Sequence, residues 1–206
     1  CTLNHFHAMK STVAIVVTLF NSEEFLRHTV ESIYAQSRSP DQIIFIDDGS
    51  TTSMYDKLVA WSSGRNFDYY HQNNRGMAAA RNLGLRHVSC DYVCFLDHDD
   101  FLPNDKIEWQ SAYLDDHPEV VLIGGQSCWI EKDLSFSGIY KAKCGEITFL
   151  NLLKKNHLSG PGGALIRTGA MKALNGFDIT LFGVDDWDLY FRLMQYGRVV
   201  HADRLS

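Results

Sequence analysis

Short apolar segments that alternate with amphipathic ones constrain the fold of this chain more than any other feature. Val13–Leu19 is apolar at every position except Thr18, and residues 92–96 are apolar throughout. Runs of this kind are typical of strands that are covered on both faces of a sheet. The segments between them carry apolar residues at helical spacing, as helices that pack on such a sheet require.

The alternation predicts strands and helices in a regular order over the first half of the chain and a less regular second half. Strands are predicted at residues 13–19, 42–46, 67–71, 92–96, 120–124, 164–167 and 198–201. Helices are predicted from Asn21 to before Pro40 and at residues 53–62, 77–88, 107–115, 147–153 and 185–196, with a loop at residues 160–163. Glu24 is the expected capping-box partner of Asn21. This order predicts an α/β fold with a Rossmann-like, doubly wound, mostly parallel central sheet flanked by helices.

The length, net charge and cysteine content of the chain limit the kinds of protein that it can be. A chain of 206 residues fits one domain with a sizeable core. Its net charge is −6 and Lys and Arg do not cluster, which argues against a nucleic-acid surface. The five cysteines include no C-x-x-C pair, so we expect reduced thiols in a cytoplasmic protein. No apolar run reaches the roughly 18 residues of a spanning helix, and no signal peptide is evident.

The two ends of the sequence carry their own expectations. Met9 is a candidate natural start, which would make residues 1–8 a vector remnant. The chain stops soon after its last predicted strand, so we expect a C-terminal extension to be missing. The single domain is therefore expected to cover residues 9–206.

Three carboxylates follow directly on the apolar run at residues 92–96. They belong to Asp97, Asp99 and Asp100, with His98 between the first two. Ionised carboxylates this close repel one another and favour a counter-cation, and oxygen-only ligands suit Mg²⁺ or Mn²⁺. The alternative is that Asp99 and Asp100 merely open a turn before Pro103.

Other predicted strands also end in residues that suit ligand binding. Parallel strands bring these ends to one edge of the sheet, which is where open α/β sheets bind ligands. Phe20 offers a flat face to a nucleobase, and Asp48 can accept a hydrogen bond from the N–H of uracil or thymine. Gly76 lets backbone N–H groups approach a phosphate, and Arg75 can pair with a diphosphate. Individually, each residue also has a plain alternative: Phe20 in the core, Asp48 in a turn, and Arg75 as a solvated surface charge.

Three stretches of the sequence resemble the family 2 inverting glycosyltransferases, which have the GT-A fold. Residues 13–52 resemble the opening of that family, and residues 74–103 resemble the next segment, which ends in the metal-binding acidic motif. Residues 162–198 resemble the acceptor half, where G-V-D-D-W-D-L at residues 183–189 matches a G-x-E-D-W-D-L pattern. The resemblance covers nearly the whole chain and keeps its order. It implies a donor-binding half at about residues 9–103 and a smaller acceptor-binding half at about residues 104–206.

Roles carried over from the family fall on particular residues. Asp186 falls at the position of the catalytic base, and Asp99, with Asp97, at that of the metal ligands. Gly162, Asp185 and Trp187 are expected on the acceptor side, although Trp187 also suits simple packing. The nucleotide-sugar site is expected to include Thr18, Phe20, Asn21, Asp48, Arg75, Gly76, Asp97 and His98.

The chain departs from the family pattern at four of its positions. Phe20 stands where tyrosine is common, which keeps stacking but loses a hydroxyl. Thr52 replaces an expected aspartate, and Asp185 replaces a glutamate before the base. His98 occupies a variable position within the acidic motif where a small residue is frequent, and its role is not predicted.

The resemblance implies that a sugar moves from a nucleotide-sugar donor to an acceptor hydroxyl with inversion at the anomeric carbon. Mn²⁺ or Mg²⁺ is the expected cofactor, a UDP-sugar the expected donor and a glycan or glycolipid the expected acceptor, with no nucleic-acid partner. Asp186 is expected to stay ionised near a helix N-terminus. The family most often serves polysaccharide or glycoconjugate assembly, which implies a cytoplasmic protein that is peripheral at the inner membrane face. The sequence does not indicate an oligomeric state.

Two alternative functions remain open at this point. A sugar nucleotidyltransferase has the same fold, but it usually carries a glycine-rich basic loop after its first strand, where this chain has Leu19, Phe20, Asn21 and Ser22. A non-catalytic nucleotide-sugar or glycan-binding module is disfavoured by Asp186, because a binder gains nothing from a base.

Overall fold

The computed structural model describes residues 10–22, 24–140, 142–158 and 160–206. The proposed start at Met9 and the proposed vector remnant at residues 1–8 lie outside the described residues.

The described residues form strands and helices that alternate regularly as far as α4. The strands are β1 (Val13–Leu19), β2 (Gln42–Asp47), β3 (Asp68–His71), β4 (Tyr92–Asp97), β5 (Val120–Ile130), β6 (Phe136–Tyr140), β7 (Gly145–Ile147), β8 (Ala164–Arg167) and β9 (Arg198–Leu205). The helices are α1 (Leu26–Tyr34), α2 (Tyr55–Ser62), α3 (Met77–His87), α4 (Lys106–Asp116), α5 (Phe149–Lys154), α6 (Thr168–Ala173) and α7 (Asp185–Leu193). A 3₁₀ turn at Pro161–Gly163 precedes β8.

The strands form one mixed sheet in the order β3-β2-β1-β4-β8-β5-β9-β7, with β6 paired to β5. β1 lies between β2 and β4 and is parallel to both. In this register Leu19 is opposite Asp47, and Thr18 is opposite Asp97. The predicted meeting of strand ends at one edge of the sheet is therefore confirmed. β8 is antiparallel to both of its neighbours and joins the two halves of the chain into a continuous sheet.

Helices cover both faces of the sheet, as the wholly apolar β1 requires. Alternate residues of β1 belong to opposite faces of the sheet. On one face, Ala14 and Val16 pack with α3, α6 and α7. Val13, Ile15 and Val17 pack with α1, α2 and α4. All seven residues of β1 are buried. The α/β prediction, with a central, mostly parallel sheet flanked by helices, is confirmed.

The predicted start of the first helix is wrong. α1 begins at Leu26, its N-cap residue Phe25 makes no side-chain cap hydrogen bond, and the helix ends at Tyr34, well before Pro40. Asn21 instead has a φ of 50°. Its Oδ1 accepts hydrogen bonds from the backbone N and Oγ1 of Thr51, at 3.0 and 3.1 Å. The side chain that was expected to cap α1 therefore ties the loop after β1 to the loop after β2.

The second half contains elements that the sequence pattern did not predict. β6, β7 and α6 are short, and most residues of β6 are exposed, so none of them produces a clear apolar period. The helix predicted at residues 147–153 begins at Phe149, where Thr148 and Asn151 form a capping box, and Ile147 belongs to β7. The four described cysteines are free. Across the described residues, no helix is long and apolar enough to cross a membrane.

Candidate active site

The loops after β2 and β3 are joined by the carboxylate of Asp48, which is only 4% exposed. Its Oδ1 accepts hydrogen bonds from Gln72 Nε2 at 2.6 Å and from the backbone N of Arg75 at 2.9 Å. Its Oδ2 accepts one from the backbone N of Gly76 at 2.9 Å. A carboxylate offers about four acceptor positions, so one is left for the predicted nucleobase contact.

The predicted phosphate contact at Gly76 meets a competing partner. Gly76 has a φ of 87° and directly precedes α3, as the prediction required. Its N–H, however, already donates to Asp48. The Arg75 side chain is exposed at the same loop. Phosphate binding by the Gly76 N–H would therefore require Asp48 to release it.

Phe20 lies at the surface, in the loop after β1, where its ring is exposed. It is 46% exposed, so the alternative that it belongs to the core is wrong. Its backbone N donates to Ser22 Oγ at 3.0 Å, and the backbone N of Asn21 donates to Ser50 Oγ at 2.9 Å. These hydrogen bonds fix the loop after β1 beside the loop after β2.

Asp97, the first carboxylate of the acidic motif, is paired inside the protein. Its Oδ1 and Oδ2 accept hydrogen bonds from Nη2 of Arg81 at 2.8 and 3.1 Å. Oδ1 also accepts one from Thr18 Oγ1 at 3.3 Å. Because Arg81 already balances its charge, the metal role predicted for Asp97 competes with an internal ion pair.

Arg81 was not singled out from the sequence, yet it joins the two halves of the site. It is 3% exposed, and its Nη1 donates to Asp185 Oδ2 at 2.9 Å. The guanidinium also lies 5.4 Å from the centre of the Phe177 ring. Ala78, Arg81 and Leu85 occupy one buried stripe of α3. An arginine in an otherwise apolar helical stripe is a signal that sequence reasoning could have used.

Asp99 and Asp100 face a cavity of about 310 Å³ between the acidic motif and the hairpin of β5 and β6. Trp129, Tyr140 and Gly162 also line it. Partial burial of the Asp100 carboxyl, added to repulsion by the charges of Asp97 and Asp99, raises the pKa of Asp100 to about 7. Repulsion between neighbouring carboxylates, which the sequence predicted, is thus one cause of this rise after burial.

The residues at this cavity fit a divalent cation that takes only one or two of its ligands from the protein. In residues 10–22, 24–140, 142–158 and 160–206, no three His, Cys, Asp or Glu side chains converge as a metal site. Asp99 is exposed and lines the cavity together with Asp100. One or two carboxylates completed by water and substrate phosphates are a typical magnesium environment. A cation at this point would also offset the repulsion that raises the pKa of Asp100.

Asp186 lies in the first turn of α7, directly after Asp185. Its Oδ1 accepts a hydrogen bond from the backbone N of Trp187 at 2.7 Å, and its Oδ2 accepts one from Asn156 Nδ2 at 3.2 Å. Burial raises the pKa of Asp186 above its usual value, and the charge of Asp185 adds to the rise. Desolvation therefore opposes the ionisation predicted for Asp186 near the helix N-terminus, and it outweighs the contacts that favour the charged form.

The other acceptor-side predictions have mixed outcomes. Asp185 is 7% exposed and its carboxylate is bound by Arg81, so it points into the protein rather than to an acceptor. Trp187 packs against the core and its Nε1 donates to the Leu152 carbonyl at 3.0 Å, as the packing alternative expected. Gly162 is buried, and an added Cβ would lie 3.2 Å from Asp100 Oδ2 and 3.3 Å from Leu96 Cδ1.

His98, which was predicted in the nucleotide-sugar site, is half-buried, and its backbone carbonyl accepts a hydrogen bond from Thr29 Oγ1 at 2.7 Å.

Similar solved structures share this fold. S. aureus TarS, residues 1–349, in complex with UDP-GlcNAc superposes with a TM-score of 0.76 and 19% identity. The match covers 93% of this chain and 56% of that one. The mannosyltransferase PcManGT from Pyrobaculum calidifontis, in complex with GDP-Man and Mn²⁺, gives a TM-score of 0.69 and 20% identity, over 95% of this chain and 56% of that one.

Similar sequences are glycosyltransferases by description. An uncharacterized glycosyltransferase of Rickettsia felis is 28% identical over 196 residues, which are 93% of this chain. The chain spans 32% of the length of that relative. The UDP-Glc:alpha-D-GlcNAc-diphosphoundecaprenol beta-1,3-glucosyltransferase WfaP of Escherichia coli is 26% identical over 185 residues, covering 90% of this chain and 71% of WfaP.

A family profile settles the membership of the chain. The profile described as glycosyl transferase family 2 matches residues 14–174. This span runs from β1 into the residue after α6, and so includes the loops around Asp48 and Arg75 and the whole acidic motif. The chain therefore belongs to glycosyl transferase family 2, as the resemblance in its sequence predicted.

Proposed function

We propose that the protein transfers a sugar from a UDP-sugar to a hydroxyl of a glycan or lipid-linked glycan, with inversion at the anomeric carbon. The observation that carries the proposal is the bridge made by Arg81. It holds Asp97, at the end of β4, and Asp185, next to Asp186, within hydrogen-bond distance of one guanidinium. Arg81 thus ties Asp185 to the acidic motif. The next residue, Asp186, carries the carboxylate that is suited to act as a base. Membership of the family and the glucosyltransferase activity in the name of WfaP support the same reaction class.

The donor would bind along the edge of the sheet formed by the ends of β1, β2 and β4. The exposed ring of Phe20 would stack on the base, and the remaining acceptor position of Asp48 would receive its N–H. The side chain of Arg75 would pair with the diphosphate. Asp99, with Asp100, would hold Mg²⁺ or Mn²⁺. When bound, the cation neutralises charge on the departing diphosphate.

Asp186 would act as the general base in a single displacement. Its carboxylate takes the proton of the acceptor hydroxyl as that oxygen bonds to the anomeric carbon, and the nucleoside diphosphate leaves from the opposite side. A base works best when its pKa lies near the working pH, so the raised pKa of Asp186 suits the role. Asp185 and Arg81 would orient the start of α7 without contacting the acceptor.

We further propose that the reaction serves polysaccharide or glycoconjugate assembly at the cytoplasmic face of a membrane. The diphosphoundecaprenol-linked substrate in the name of WfaP supports an acceptor of this kind. The sheet continues through β8, which supports a single domain with a donor half before about residue 103 and an acceptor half after it.

The test is the substitution Asp186→Asn with Asp188→Asn as its matched control. Asp188 lies in the same turn of α7 but forms an ion pair with Arg192 at 2.7 Å. We expect D186N to lower the rate of nucleoside diphosphate release about 10²–10⁴-fold, the range contributed by a general base. Donor affinity measured by calorimetry is expected to stay unchanged, and D188N is expected to keep its activity.

Three outcomes would contradict this proposal. Wild-type-like turnover by D186N would remove Asp186 from the base role. Donor binding without any release of nucleoside diphosphate, across UDP- and GDP-sugars and glycan acceptors, would favour the binding module. Release of pyrophosphate from a nucleoside triphosphate and a sugar phosphate would favour the nucleotidyltransferase.

A further inference from the structure

The carboxylate of Asp186 has a hydrogen-bond partner outside its own helix. Asn156, in the segment between α5 and the 3₁₀ turn, donates from Nδ2 to Asp186 Oδ2 at 3.2 Å. The other partner is the backbone N of the adjacent Trp187, which any residue at that position would supply. Of these two contacts, only the one from Asn156 depends on which side chain the sequence places at the donor position.

Asn156 is itself held on two sides. Its Oδ1 accepts a hydrogen bond from the backbone N of Leu158 at 3.0 Å, which fixes the orientation of the amide and turns its NH₂ group toward Asp186. Its backbone carbonyl accepts one from the hydroxyl of Tyr140 at 2.7 Å. Tyr140 also lines the cavity that contains Asp99. A chain of hydrogen bonds thus runs from the cavity wall through Asn156 to Asp186.

We propose that Asn156 is a positioning residue for the base. Its amide fixes the rotation of the Asp186 carboxylate, so that one lone pair of Oδ2 is bound and the other is free to receive the acceptor proton. This inference rests on the proposed function, because it assumes that Asp186 accepts a proton during transfer. Asn156 lies outside the three stretches whose sequence resembles the family, at residues 13–52, 74–103 and 162–198.

The charges around Asp186 decide the direction of the expected effect. Asp185 precedes it, Arg81 reaches the same region from α3, and Tyr190 lies one turn further along α7. Burial and Asp185 raise the pKa of Asp186, whereas the N–H groups of Trp187 and Asn156 and the charge of Arg81 lower it. Loss of the Asn156 amide removes one stabilising contact from the ionised form. The pKa of Asp186 should therefore rise.

The experiment compares wild type with Asn156→Ala, Asn156→Asp and a matched control, Asn151→Ala. Asn151 lies five residues earlier and completes the capping box of α5, so N151A weakens the same region without touching Asp186. We expect kcat of N156A to fall about 10–100-fold, as a small misplacement of a reacting group does. We expect the acid limb of its kcat profile to move to higher pH, and that of N156D to move further. N151A should keep the profile of the wild type.

A second measurement separates this inference from the proposed function. The titration of the Asp186 side-chain carboxyl is followed by carbon-detected NMR, with D186N used to assign the signal. The proposal expects the midpoint to rise in the order wild type, N156A, N156D, whether or not the protein turns over. Coincident midpoints, or a kcat of N156A equal to that of N151A, would overturn the role of Asn156. Ordered midpoints without turnover by the wild type would instead overturn the proposed transfer reaction and, with it, any catalytic use of the contact.

Discussion

At the scale of single residues, Arg81 shows how one buried charge can be held by carboxylates from different parts of a chain. Its guanidinium contacts Asp97 and Asp185, which are 88 positions apart in the sequence (185 − 97). Such a group is costly to bury, and its attraction to the two carboxylates must offset that cost. Removing the cation would leave Asp185 at 7% exposure without its partner.

We expect Arg81→Met to be strongly destabilising. Breaking a buried ion pair by removing one partner typically costs about 3–5 kcal/mol, because an uncompensated charge remains. The free energy of unfolding, measured by urea denaturation, should fall by an amount of that order. The double variant R81M/D185N should recover part of the loss, since it no longer buries the Asp185 charge.

A surface ion pair provides the control for this substitution. Arg27 and Glu31 form an ion pair at 2.8 Å on α1, where both side chains are at least half exposed. Arg27→Ala should cost less than about 1 kcal/mol. Equal losses for R27A and R81M would show that the bridge contributes no more than an exposed pair.

The sequence predicted roles for Asp97, Asp99 and Asp186, but it did not predict all of the groups that these carboxylates contact. It predicted a counter-cation for the acidic motif, and Arg81 meets that need for Asp97. It predicted a phosphate contact for the Gly76 N–H, which Asp48 uses instead. Hydrogen-bond partners depend on distances between loops, and residue types at a given spacing do not contain those distances.

At the scale of elements, the contact of α3 with β1 and β2 shows why particular small residues are needed. Gly84 lies in the interior of α3, where an added Cβ would meet Val16 Cγ1 at 2.3 Å and Ile46 Cγ1 at 3.3 Å. Both neighbours are fully buried. The absence of a side chain at this position therefore sets how closely the helix approaches the sheet.

Gly84→Ala should destabilise the protein even though alanine favours helices. Overpacking a filled core costs roughly 1–3 kcal/mol, which exceeds the gain of about 1 kcal/mol in helix propensity. Gly169→Ala in α6 is the matched control, because nothing lies within 4 Å of its added Cβ. Urea denaturation should place G84A below the wild type and G169A level with it or above. A stable G84A would mean that Val16 can move aside.

The elements themselves differ in how far the sequence predicts them. β1, β8 and the start of α3 agree with their predicted bounds, since apolar runs and helical stripes depend on neighbours along the chain. β6 and β7 were not predicted because both are short and largely exposed. The start of α1 was misplaced because Asn21 bonds to Thr51, a residue of another loop.

At the scale of the whole molecule, ligand binding should stabilise the fold, because the proposed donor site is built from the ends of β1, β2 and β4. A ligand that binds only the folded state at about 100 times its Kd adds about 2.7 kcal/mol. For a domain of this size, that corresponds to a rise in Tm of roughly 5–10 °C.

We expect this rise for a UDP-sugar with Mn²⁺, measured by thermal denaturation, with GDP-sugars and Mg²⁺ as comparison arms. Asp99→Ala should abolish the part of the rise that depends on the cation, and chelation by EDTA should do the same to the wild type. Asp116→Ala, at the far end of α4, is the control and should behave as the wild type does. An equal rise in D99A with and without Mn²⁺ would contradict the metal role of Asp99.

The sequence by itself determined the α/β class, the family and the edge of the sheet at which the strand ends of the proposed site meet. Those conclusions rest on local patterns: an apolar run must be buried, and parallel strands must share the edge at which they end. Only the tertiary structure decided which partner each carboxylate has. Arg81 binds both Asp97 and Asp185. Asp48 accepts hydrogen bonds from the loop before α3, and Asn156 donates one to Asp186. The physical reason is that a buried charge is stabilised by whichever groups packing brings within about 3 Å, and packing is a property of the whole chain.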